Sequence, residues 1–125
     1  MQNDVPVLPR RKDTLAAPFR DAYDALVQKA ENKNHTRREV DELTVWLTTY
    51  SREQIQQALD SNISYEAFLK NSPEINPCAK FVKGSIEGVR VQSVQDPVVR
   101  SSYVLEKMVD ELTKGRPLYR IMRTH

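Results

Sequence analysis

Two histidines, one cysteine and three glycines limit the chemistry open to this 125-residue chain. His35 sits before a helix start and His125 is the last residue. Neither has a second ligand at metal-binding spacing, and no CxxC or HExxH occurs. Gly84, Gly88 and Gly115 cannot build a phosphate-cradling loop, and KGSIEG holds only a fragment of one. Cys78 has no His near it and reads as an inert or partly buried thiol. Acidic residues are plentiful, yet most fall on polar helix faces where solvation explains them, which leaves only a pair of carboxylates brought together by the fold as an acid–base candidate. The residue types therefore argue for no metal, no cofactor and, on balance, no catalysis.

Two polar constellations remain. Asn76, Arg90 and Asp96 fall in the least regular part of the chain, where polar groups can line a ligand groove. The plainer reading has Asn76 and Asp96 capping helices and Arg90 pairing with a nearby acid, and it is preferred. At the C-terminus, KGRPLYRIMRTH places Arg116, Tyr119, Arg120 and Arg123 in a basic, partly apolar stretch that can dock a protein partner or a second copy. Its plainer reading is a terminal helix packed on its own domain, with cations favoured at a helix end.

The stretch EVDELTVWLTTYSREQI raises the question of a DNA-reading helix-turn-helix. Such a motif needs a turn of three or four residues and a second helix with polar, often basic, outward groups. Tyr50-Ser51 leaves almost no turn. Arg52, Gln54, Gln56 and Gln57 are offset by Glu53 and Asp60, so the phosphate-binding charge that supplies most affinity is lacking. Trp46 and Tyr50 are expected to be core residues anchoring a helix corner. Truncating a buried Trp46 to alanine would then cost ~3–5 kcal/mol.

The elements that position these residues follow from periodicity and caps. Residues 1–17, with Pro6, Pro9 and many charges, are expected to form a flexible tail. A single domain is expected over 18–125. Helix one runs from Pro18 to Lys33, with Phe19, Tyr23, Leu26, Val27 and Ala30 on one face. Thr36 with Glu39 and Ser51 with Gln54 are capping boxes that start helices two and three. Val40, Leu43, Trp46, Leu47 and Tyr50 form the inward stripe of helix two, and Ile55 and Leu59 that of helix three. Ser64 starts a fourth helix ending near Asn71. Beyond Asn76-Pro77, Phe81, Val82 and Ile86 suit a short helix followed by a turn, while the alternation in GVRVQSV also suits a short strand. Asp96-Pro97 opens the clearest helix, with Val98, Ser102, Leu105, Val109 and Leu112 on one face, closed by Gly115. Pro117 to Arg123 form a last turn that packs back through Leu118, Ile121 and Met122.

The expected fold is all-α: a compact bundle or array of five or six short helices, with an irregular or short extended segment around residues 84–95. The composition, 39% apolar and 29% charged, fits a globular protein with a solvated surface. Nineteen basic against seventeen acidic residues leave a net charge of +2, too little to draw the whole chain to nucleic acid. No apolar run approaches a membrane span. A lone cysteine suits a reducing compartment, so the expected location is cytoplasmic.

Taken together, VQKAENKNHTRREVDELTVWLTTYSREQI, the Asn76-Pro77 pair, GVRVQSVQDP and YVLEKMVDELTKG resemble the bacterial domain of unknown function family 2200. The resemblance runs from Phe19 to Arg123. Its most specific parts are the Trp46–Tyr50 corner, GVRV at 88–91, Asp96-Pro97 and VDELTKG at 109–115. Thr49 stands where a glycine is expected before the tyrosine, and Pro117 enters the C-terminal segment. The resemblance implies a small helical protein and brings no activity, substrate or cofactor. The expected function is that of a non-enzymatic protein-interaction module or homodimer. The alternatives are nucleic-acid binding through the basic C-terminal end, and a small-molecule or enzymatic site near Asn76, Arg90 and Asp96.

Overall fold

Side-chain caps set most helix starts in the computed structural model, which describes residues 8–124. In chain order the α-helices are α1 (Pro9–Ala16), α2 (Phe19–Glu31), α3 (Arg37–Thr48), α4 (Arg52–Leu59), α5 (Tyr65–Lys70), α6 (Pro97–Thr113) and α7 (Leu118–Ile121). Both capping boxes form: Thr36 and Glu39 exchange hydrogen bonds at the start of α3, Ser51 and Gln54 at the start of α4. Ser64 caps α5 by accepting from the Ala67 amide. The Asp96 carboxylate accepts from the amides of Val98 (2.9 Å) and Val99 (3.2 Å), and Pro97 takes the first helical position, where a missing N–H costs nothing.

The central element is α6, which packs against α2, α3 and α5. Its burial extends well beyond one stripe, because neighbours cover several faces: Tyr103, Val104, Leu105, Met108, Val109 and Leu112 are all essentially inaccessible. An aromatic cluster fills the space between α2 and α5. Phe19 stacks on Phe68 at 3.7 Å between centroids, and Tyr50 stacks on Phe68 at 4.6 Å. Such pairs add ~0.5–1.5 kcal/mol each beyond the area they bury.

Several expectations are corrected by this geometry. The tail expected over residues 1–17 is helical from Pro9, with Arg11 and Leu15 buried; residues 1–7 lie outside the described residues, as does His125. Proline at the first helical position and a spacing of Leu8, Arg11 and Leu15 that faces the core explain the helix. Pro18 does not begin α2. Its backbone is extended and bridges Ser64, with Phe19 N–H donating to Ile63 O and Tyr65 N–H to Ala17 O.

Trp46 is half-buried and packs at the edge of the core, so the full burial expected of it is not met. Tyr50 is half-buried too, with its hydroxyl donating to Phe68 O at 2.8 Å. The irregular region is a 3-10 helix (Pro77–Phe81), then an antiparallel hairpin of β1 (Ser85–Ile86) and β2 (Val89–Arg90), then a second 3-10 turn (Val91–Ser93). Ile86 thus lies on a strand rather than a helix, and Phe81, at the end of the 3-10 helix, is 37% exposed. The hairpin turn needs positive φ at both central residues, which Gly88 (78°) adopts freely and Glu87 (54°) adopts under strain.

Candidate functional site

Asn76, Arg90 and Asp96 stand on three separate elements. Asn76 ties the 3-10 helix to the end of α3. Its side-chain amide donates to Trp46 O at 3.1 Å, its backbone N–H donates to Leu47 O at 2.8 Å, and its Oδ1 accepts from the Cys78 amide. Asp96 caps α6 as described, and Arg90 is exposed on β2. Those contacts are the structural roles that the plainer sequence reading gave to the first and last of the three.

At the C-terminal end the outcome is divided. Arg123 grips Glu111 through two nitrogens, at 2.6 and 2.8 Å, and Arg116 approaches the same carboxylate at 3.7 Å. Glu111 is 8% exposed, a buried carboxylate held by two guanidinium groups. One residue earlier, Asp110 receives Lys114 (3.1 Å), Lys107 (3.5 Å) and Lys29 (3.6 Å). Burial alone would raise the Asp110 pKa, but the Lys114 hydrogen bond and the three ammonium charges hold it below the usual carboxylate range. Tyr119 and Arg120 project from α7 instead: Tyr119 is 77% exposed, the most exposed large apolar side chain among the described residues.

Three residues past Tyr119, Met122 folds back beside Trp46. Together with Val45, and with Glu42 and Arg52 paired at 3.7 Å on the rim, they line an open hollow of about 440 Å³. An apolar floor is thus bordered by an ion pair, and Met122 on its wall directly follows α7, which carries the exposed Tyr119 and Arg120. Periodicity did not separate Trp46 from the core because it falls on the same stripe as Leu43 and Leu47.

A second polar cluster escaped the sequence reading altogether. Arg11 on α1 is 4% exposed, and its Nη2 donates to Glu106 Oε1 on α6 (2.5 Å) and to Glu87 Oε1 in the hairpin turn (3.4 Å). The guanidinium carbon lies 4.0 Å over the ring of Tyr103. Arg10 holds the other Glu87 oxygen at 2.9 Å. Burial alone would weaken the Arg11 charge, but the Glu106 carboxylate more than offsets it. Tyr65 nearby has its hydroxyl pKa pushed up, chiefly by burial. Among the described residues no group of three His, Cys, Asp or Glu could hold a metal ion, and no helix is long and apolar enough to cross a membrane.

A family model described as "Uncharacterized protein conserved in bacteria (DUF2200)" matches residues 14–123. No curated protein matches the chain. Among solved structures the chain is similar to one titled "Crystal structure of uncharacterized protein SP1917". That match has 30% sequence identity and a TM-score of 0.83, and covers 88% of this chain and 90% of that one.

Proposed function

The chain belongs to this uncharacterised bacterial family, DUF2200, and we propose that it works as a non-enzymatic protein-interaction module whose docking surface is the Trp46–Met122 hollow with Tyr119 and Arg120 beside it. What supports this reading is composition at one place. Trp, Tyr, Met and Arg are the residues enriched at interface centres, and here Trp46, Met122 and Arg52 line one apolar depression with a charged rim while Tyr119 stands exposed three residues before Met122. The occupant that fits is a protein segment presenting an apolar side chain to the hollow and an acidic flank to Arg120 and Arg116, both exposed. Nucleic acid is the weaker reading of the same end. Asp110 and Glu111 already take up Lys114, Arg116 and Arg123, which reduces the charge left for a phosphate backbone.

A photo-crosslinking residue placed at Tyr119 tests this in cells, with one at Lys12 on the exposed face of α1 as control. The expected result is one discrete adduct from position 119, lost when Trp46→Ala is added. A similar ladder of adducts from both positions, or an adduct at 119 indifferent to Trp46→Ala, overturns the proposal. An adduct of twice the chain's mass identifies the partner as a second copy and overturns the acidic-segment assignment.

A further inference from the structure

The cavity under α1 lies apart from the Trp46 hollow and has a different chemistry. It is a half-open cavity of about 270 Å³ between α1, α2 and α6, with Arg10 and Ala25 at its exposed rim. Ala22, Ala25 and Leu26 of α2 form an apolar wall, Tyr65 and Ser102 are polar groups of its lining, and Arg10, Arg11 and Lys29 bring positive charge to it.

Charge in this cavity does not cancel. The lining holds three cations, Arg10, Arg11 and Lys29, and two anions, Glu87 and Glu106. Glu87 is taken by Arg10 and Arg11, and Glu106 by Arg11. Lys29 has only a third share of Asp110, which also serves Lys107 and Lys114. One positive charge is therefore in excess. Arg11 Nε and Tyr103 Oη are themselves sealed from solvent, so Arg11 acts on the cavity through its charge and not through a free donor.

We infer that this cavity is a binding site for a small organic acid, with an apolar body of a few carbons against Ala22, Ala25 and Leu26 and a single carboxylate drawn by Arg11 and Lys29. Its size admits a body such as a benzene ring or a short alkyl chain. Its single excess charge selects a monoanion over a neutral or cationic molecule of the same shape.

The experiment uses the full chain, isotopically labelled, titrated with benzoate and, separately, with benzyl alcohol and benzylamine, while backbone amide shifts are followed by NMR. Saturable shifts are expected with benzoate at Thr14, Ala25 and Ser102, at least tenfold weaker or absent with the other two probes. Ala25→Leu fills the cavity without touching a polar group and is expected to weaken benzoate binding at least tenfold while leaving the remaining spectrum folded. No saturable shift with benzoate, equal response to benzylamine, or undiminished binding in Ala25→Leu overturns the inference. Binding by the C-terminal carboxylate of a short peptide but not by benzoate overturns the free-acid assignment.

Discussion

Arg11 and Glu106 are ninety-five residues apart in sequence and 2.5 Å apart in the fold, between a helix of eight residues and the central helix of the molecule. Their contact, shared with Glu87, joins α1, the hairpin turn and α6 through one guanidinium. An eight-residue helix is too short to be stable alone in water. What holds it here is Leu15 in the core and this ion pair.

Arg11→Ala should therefore lower stability by about 2–4 kcal/mol, toward the lower end for opening a buried pair because the Glu106 side chain keeps 23% exposure. Urea denaturation measures it. The double variant Arg11→Met with Glu106→Leu should recover most of the loss, since apolar replacement of a whole buried pair is often neutral. Recovery that fails entirely would point to Glu87 as the partner that matters.

Acid should weaken the fold partly through Asp110. Its carboxyl pKa is depressed in the folded state, so its stabilisation is present above the ordinary carboxylate pKa and disappears as pH falls through the lower folded value. Between pH 5 and pH 3 the urea midpoint of Asp110→Asn should fall less than that of the wild type. A steeper fall in the variant contradicts the direction of the shift.

Tyr23 supplies a third test. Its hydroxyl donates to the Asp41 carboxylate and accepts from Thr44 Oγ1 at 3.4 Å. Burial and Asp41 together push the phenol pKa far up, so the group stays a neutral donor across the working range of pH. Tyr23→Phe leaves the ring packing and removes one bond to a charged acceptor, and should cost about 1–2 kcal/mol. A neutral result would mean that water replaces the hydroxyl at Asp41.

The three residues first singled out in the irregular region separate by role. Asp96→Ala removes a cap and should cost about 1 kcal/mol. Arg90→Ala, exposed on β2, should stay within about 0.5 kcal/mol of wild type. Equal, large effects at both positions would instead argue that they act together.

Much of the fold was legible because its signals are local. Thr36 with Glu39, Ser51 with Gln54, and Asp96 with Pro97 each announce a helix start within four residues, and each forms. Helix α1 was not legible, because its burial rests on Arg11, a residue type that periodicity counts as solvent-facing. Only the fold brings it to Glu106 and Tyr103. Trp46 was misjudged for the opposite reason: it belongs to the apolar stripe of α3, yet sits where that stripe meets the surface. Truncating it should cost about 1–2 kcal/mol, below the range for a buried aromatic.

Thr49 joins the local and the global readings. A glycine is expected before Tyr50, and the backbone at Thr49 is left-handed, with φ of 60° at the C-terminus of α3. A β-branched side chain is strained there. Its hydroxyl offsets part of the strain by donating to Glu74 O at 3.0 Å, which braces the loop that delivers Asn76 to the end of α3. Thr49→Ala keeps a Cβ in the strained conformation and loses the brace, whereas Thr49→Gly loses the brace and releases the strain. The glycine variant should be the more stable of the two by about 1 kcal/mol. If the alanine variant unfolds at higher urea, the corner between α3 and α4 does not adopt the left-handed turn, and the placement of Trp46 and Tyr50 on either side of it falls with it.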